Sequence, residues 1–160
     1  MKVNPASTGT QRAHLYAVRV YYEDTDAGGV VYHASYLRFM ERARTEALRA
    51  AGIAHAELAR RFARMFVVRR LEIDYLRPAR LDAEVTVRTE VAALRGAGLS
   101  LRQDVTLADG ALAVAARVDL ACIGLADQRA RRIPPEWRAG LRAMMADGTD
   151  TGTENDEPRG

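Results

Sequence analysis

A single cysteine, a single lysine, a single tryptophan and only five prolines stand in a chain of 160 residues. One cysteine, Cys122, excludes an internal disulfide framework and any multi-cysteine zinc or iron–sulfur site. The three histidines, His14, His33 and His55, are widely separated and lack metal-ligand spacing, so no metal site is expected. No apolar run approaches the length needed to cross a bilayer. Residues 1–12 also lack the apolar segment of a secretory signal. No G-x-S-x-G elbow is present. The only diglycine, Gly28-Gly29, is surrounded by neither a dinucleotide-binding nor a phosphate-loop pattern. These absences leave a soluble, cytoplasmic chain with no transmembrane segment as the expectation.

What is present is the composition of one ordinary globular domain, with 48% hydrophobic and 28% charged residues. The formal charge of +3 is unevenly spread. Of 24 basic residues only Lys2 is lysine, while residues 147–160 carry five acids against one arginine. A mildly basic body suits a polyanionic ligand such as a nucleotide-bearing cofactor. The arginines are nevertheless scattered, with no aromatic-interleaved run, so no nucleic-acid partner is expected. Residues 1–12 read as a disordered N-terminus, 13–137 as the folded domain, and 138–160 as a short helix followed by a disordered acidic tail.

The hydrophobic period changes along the domain. Residues 14–23, rich in Val and Tyr, read as a strand, and residues 24–29 (DTDAGG) as a turn. Residues 34–51 switch to helical spacing, with Tyr36, Met40, Ala43, Ala47 and Ala51 on one stripe, widened by Leu37 and Leu48. Gly52 stands where a helix-terminating glycine belongs, followed by apolar Ile53. Residues 55–64 allow a second short helical turn. From there the period falls to two. Leu71, Ile73 and Tyr75 form the first alternating set, followed by Val85, Val87 and Val91. Leu99, Leu101, Val105 and Leu107 form the third, and Leu112, Val114, Val118 and Leu120 the fourth. Short turns at residues 77–80, 95–98 and 108–110 separate them, which reads as a half-buried antiparallel meander of four strands. Pro134-Pro135-Glu136 starts a last helix. The fold class is α+β: one antiparallel sheet of about five strands around one principal helix. Such a sheet leaves edges and part of a face uncovered, so a homodimer or homotetramer is expected.

The chemistry concentrates at residues 21–33 (YYEDTDAGGVVYH). Two carboxylates two apart, a glycine pair, a histidine and the start of the long helix coincide there. Unpaired N–H groups of a helix start can polarise a carbonyl and hold an oxyanion. A carboxylate beside them can act as general base on water or attack directly. The competing reading is that Asp24 or Asp26 merely satisfies loop amides, and that His33 packs or caps the helix. Cys122, in an apolar strand, reads as a buried thiol.

Residues 19–36 (RVYYEDTDAGGVVYHASY) resemble the signature of the 4-hydroxybenzoyl-CoA thioesterase family of hotdog-fold proteins. They resemble the Tol–Pal-associated acyl-CoA thioesterase subfamily more closely. The segments FMERARTE at 39–46, FVVR at 66–69, YLRPARL at 75–81 and RIP at 132–134 extend the likeness over residues 14–137. The resemblance implies a hotdog fold, a curved antiparallel sheet wrapped around a long helix, with dimers or tetramers carrying sites at subunit interfaces. It implies hydrolysis of acyl-CoA to free acid and CoA, with no cofactor beyond the CoA of the substrate. It puts Asp26 in the role of catalytic nucleophile or general base. His33 falls at the helix start as the second implied catalytic residue, where a backbone N–H polarises the thioester carbonyl and the histidine side chain is also implicated in the site. Tyr22, Asp24, Gly29, Val30 and Tyr36 are implied as substrate-binding or supporting residues. Two alternatives stay open: a hotdog hydratase or dehydratase, and a non-catalytic partner of acyl carrier protein or cell-envelope machinery. Scattered arginines are available for the CoA phosphates, and the sequence does not select among them.

Overall fold

In the computed structural model, which describes residues 12–145, nine elements follow one another. They are β1 (His14–Arg19), a 3-10 turn (Tyr22–Asp24), α1 (His33–Ala50), α2 (His55–Phe62), β2 (Arg64–Tyr75), β3 (Glu84–Leu94), β4 (Gly98–Leu107), β5 (Leu112–Gly124) and α3 (Pro135–Ala143). The terminal segments expected to be disordered lie outside the described residues, apart from Arg12.

The strands form one five-stranded sheet in the order β1-β3-β4-β5-β2, antiparallel throughout. The expected four-strand meander holds only for β3, β4 and β5. β2 pairs with β5 at the far edge, and β1 closes the other edge against β3. A connection of residues 76–83 therefore carries the chain across the sheet instead of turning it back in a hairpin. Edge position also explains why β2 departs from its alternation. Leu71 and Tyr75, expected inward, are exposed, because β2 is an edge strand with no further strand beyond it among the described residues.

The inner strands obey the period of two. Val85, Val87 and Val91 of β3, Leu99, Leu101 and Val105 of β4, and Val114, Val118 and Cys122 of β5 all point into the core. α1 lies on that face, burying Tyr36, Phe39, Met40, Ala43, Ala47 and Leu48. Phe39 escaped the sequence reading, and Leu37 and Ala51 are only half-buried. Buried Gln103 and Thr89 are satisfied within this core. Gln103 Nε2 donates to the Met40 carbonyl and to Thr89 Oγ1, each at 2.9 Å, and its Oε1 accepts from Arg44 at 3.0 Å. Gly52 ends α1 with φ +83°, and the N–H of buried Ile53 closes on the Leu48 carbonyl at 2.8 Å. On the outer face, arginines pair with acids two residues along, as in Arg88–Glu90 and Arg102–Asp104.

Candidate active site

The first strand stops at Arg19, earlier than its composition suggests, because Asp24 bends the chain. Its N–H donates to the Tyr21 carbonyl at 3.0 Å, while its carboxylate accepts the Tyr21 N–H at 2.9 Å. This is the local competition with strand pairing that aspartate side chains offer. Asp24 is 6% exposed and has the Arg38 guanidinium 4.0 Å from its other oxygen. Its carbonyl also accepts the Tyr32 N–H at 2.8 Å, just ahead of α1. Asp24 thus fastens the turn to the helix start from inside the protein.

Two residues on, Asp26 faces the other way. Its main chain closes a tight loop, with Asp26 N–H to the Val30 carbonyl at 2.9 Å and Gly29 N–H to the Asp26 carbonyl at 3.0 Å. The carboxylate is exposed, and its Oδ1 accepts the Gly28 N–H at 2.8 Å. The second oxygen has no hydrogen bond among the described residues, so it remains available. The two glycines matter here for different reasons. A Cβ on Gly28 would sit 3.1 Å from Asp26 Oδ1, and Gly29 has φ +72°, which costs side-chain-bearing residues about 1 kcal/mol or more.

The loop then leads into α1. Val31 is buried, and its N–H donates to the Ala79 carbonyl at 2.9 Å, while Val30 lies opposite Arg80 in an antiparallel bridge. His33 is the first residue of α1 and is exposed. Among the described residues neither the His33 nor the Ala34 N–H has an acceptor, so both are open to a ligand. The Tyr75 hydroxyl donates to the His33 carbonyl at 3.0 Å, and its ring meets the His33 ring edge-on at 6.2 Å. Tyr75 was missing from the sequence-derived candidates, since its place at the end of a distant strand conceals the contact. Tyr36 is buried, and its hydroxyl accepts the Ala79 N–H at 3.0 Å. Burial pushes its phenol up, against the pull of the Ala79 N–H. It ties α1 to residues 76–83. The ring of Tyr22 is 82% exposed, and only its carbonyl serves the turn, accepting from the Thr25 hydroxyl at 2.8 Å.

One turn beyond His33 a groove of about 360 Å³ opens between α1 and β2, lined by Leu37, Met40, Val68 and Leu71 together with Arg38, Glu41 and Arg44. A larger cavity of about 580 Å³ lies at the opposite end of α1, beside Ala51 and Met144, away from this chemistry. No cluster of His, Cys, Asp and Glu among the described residues could hold a metal ion, and no helix among them is long and apolar enough to cross a membrane.

Residues 28–114 match the profile of the thioesterase superfamily. The chain is 46% identical over 120 residues to the acyl-CoA thioester hydrolase YbgC of Escherichia coli, covering 74% of this chain and 88% of that protein. It is 44% identical over 129 residues to the acyl-CoA thioesterase YbgC of Haemophilus influenzae, covering 81% and 94%. Among solved structures, a probable thioesterase from Bartonella henselae superposes with a TM-score of 0.72 at 39% identity, over 76% of this chain and 99% of the other. A Staphylococcus aureus protein crystallised in complex with CoA superposes with a TM-score of 0.80 over 96% of this chain and 100% of the other. At 16% identity it speaks for the fold alone. The neighbours give the five-stranded sheet around α1 the hotdog architecture expected of it.

Proposed function

This chain belongs to the thioesterase superfamily and is an acyl-CoA thioester hydrolase, and we propose that residues 25–31 and the first turn of α1 carry its chemistry. The observation that supports this reading is the pairing of one free carboxylate oxygen, on a loop stapled at both ends, with two acceptor-less N–H groups at the helix start. The thioester carbonyl docks at the His33 and Ala34 N–H groups, which polarise it and hold the oxyanion. Asp26 takes a proton from water as the water oxygen bonds to the carbonyl carbon. Collapse of the tetrahedral adduct breaks the C–S bond, and CoA leaves as a thiolate that takes a proton. In the direct route the Asp26 oxygen bonds to the carbonyl carbon itself. CoA leaves, and water then cleaves the acyl–aspartyl anhydride. Asp24, Tyr36 and Tyr75 act as positioning residues, and Gly29 and Val30 form the wall beside the carbonyl. The apolar groove of Leu37, Met40, Val68 and Leu71 is suited to the acyl chain.

We place the working site at the interface of a homodimer or homotetramer. In support, β2 is an edge strand with Val68 53% exposed and Leu71 and Tyr75 also open to solvent, a surface that a second copy would cover. The exposed Tyr22 ring is placed to meet substrate or that second copy. Acyl carrier protein thioesters present the same carbonyl and are alternative substrates. Thiol release from a panel of acyl-CoA and acyl carrier protein thioesters tests the reaction. Single turnover in ¹⁸O-water separates the two routes, since only the anhydride route leaves label in the Asp26 carboxylate. Absence of thiol release from every thioester would overturn the assignment.

A further inference from the structure

Resting on the hydrolytic reading above, we propose that Arg44 is a specificity residue that binds a carboxylate at the far end of the acyl chain. The preferred substrates are then medium-chain acyl-CoA thioesters with a terminal carboxylate, not plain alkyl chains. The lining of the groove between α1 and β2 begins at Leu37, one turn from His33, and reaches Arg44. On α1, His33, Leu37, Met40 and Arg44 share one stripe by their spacing. β2 runs beside that stripe. Its Tyr75 meets His33, and Leu71 and Val68, nearer its start, line the same groove as Arg44. Ten residues of helix carry the chain from Ala34 to Arg44, a rise of about 15 Å. Helical side chains lean back toward the N-terminus, so the span to bridge is on the order of 10 Å. At the ~1.1 Å per bond of an extended chain, about eight to ten carbons cover it.

Arg44 is fixed from the sheet side. Buried Gln103 spends both Nε2 hydrogens, on the Met40 carbonyl and on Thr89 Oγ1, each at 2.9 Å. The Met40 carbonyl only accepts, so the Gln103 amide has one orientation and turns its Oε1 to Arg44, which donates to it at 3.0 Å. The remaining guanidinium N–H groups have no acceptor among the described residues. The other charged residues of the groove are committed elsewhere. Arg38 donates to Ser35 Oγ at 3.0 Å and stands 4.0 Å from Asp24, while exposed Glu41 accepts from the Thr45 hydroxyl at 3.3 Å. Burial pushes the Arg44 guanidinium down, and Glu41 offsets this only in part. A half-buried cation, held in place and without an acid, is completed by a carboxylate, which its planar fork can bind at two points. A methyl end would leave those N–H groups desolvated and unmet, so the groove discriminates against plain chains.

Thiol release from sebacyl-CoA and from decanoyl-CoA, equal in chain length and different only in the terminal carboxylate, tests the site. Wild type should favour sebacyl-CoA in kcat/KM by about tenfold or more. In Arg44→Met that ratio should fall by about tenfold or more, chiefly through the KM for sebacyl-CoA. Arg44→Lys, with the charge but not the fork, should restore part of the preference. A wild type that cleaves decanoyl-CoA as well as sebacyl-CoA overturns the proposal, whether or not the variants fold. So does an equal loss for both thioesters in an Arg44→Met protein that melts like wild type. If neither thioester releases thiol, both serve as stable ligands in calorimetry. Tighter binding of sebacyl-CoA by wild type, lost in Arg44→Met, would then leave this site standing and strike the hydrolytic reading; equal binding of the two would overturn the site as well.

Discussion

Asp26→Asn separates chemistry from architecture at this site, because the amide can do everything the carboxylate does for the fold. Its Oδ1 can accept the same Gly28 N–H now made at 2.8 Å, so the loop keeps its shape. Only the charge assistance of that bond is lost, which in an exposed position costs at most about 1 kcal/mol. The melting temperature should therefore drop by no more than a few degrees. The reaction fares differently. An amide neither accepts the water proton nor attacks the carbonyl, and loss of a positioned base costs about 10²–10⁴ in rate, or about 3–5 kcal/mol of barrier. The helix N–H groups of His33 and Ala34 remain and should leave a measurable residual rate. The assay is thiol release followed with a chromogenic disulfide, alongside a thermal melt of the same preparation. A kcat within about threefold of wild type would refute the role of Asp26. A loss of activity matched by a large loss of stability would refute the claim that the residue is chemical and not structural.

Three further outcomes follow from the same geometry. Gly28→Ala should lower kcat with only a modest change in melting temperature, since the new Cβ at 3.1 Å must displace the Asp26 carboxylate; unchanged kcat would mean that its exact placement is irrelevant. Tyr36→Phe leaves the Ala79 N–H buried without an acceptor and should destabilise by about 1–3 kcal/mol, measured by urea unfolding. Because the folded-state phenol pKa is raised above the ordinary value of 10.0, the unfolded chain ionises first and wild-type stability should fall as pH rises past about 10. The phenylalanine variant should lack that component of the alkaline loss. Burial pushes the Cys122 thiol up, with Arg64 pulling it back only in part. Cys122 should thus react slowly with the chromogenic disulfide in the native protein and fast in denaturant, and rapid native labelling would contradict the burial.

How far this protein can be read without coordinates depends on the range of the interaction concerned. Helical spacing from Tyr36 to Ala47, strict alternation in β3, β4 and β5, and the glycines at 28, 29 and 52 are local signals. A helix stripe, a strand face and a left-handed turn are each specified within a few residues, so these features are legible in the chain itself. The resemblance of residues 19–36 to a thioesterase signature is likewise a matter of spacing. Strand order is different. β2 has the same alternation as its neighbours, yet it pairs with β5 across the sheet, and Val68, Leu71 and Tyr75 are exposed at that edge while Phe66 and Ile73 pack against the core. Nothing in the period says which strand will supply the partner.

The same limit divides the site. Asp24 and Asp26 are one residue type two positions apart, and sequence gives no chemical reason to prefer either. Tertiary structure separates them: one carboxylate is turned inward onto Tyr21 and Arg38, and the other is held at the surface with an oxygen to spare. Tyr75 reaches the His33 carbonyl across 42 residues, and Arg80 pairs with Val30 of the Asp26 loop across 50. Local periodicity thus determined the helix, the strands and the turn that could react. Long-range pairing alone decided which carboxylate faces solvent, which tyrosine braces the helix start and which arginine pairs with the Asp26 loop, because those contacts close only when distant segments are packed against one another.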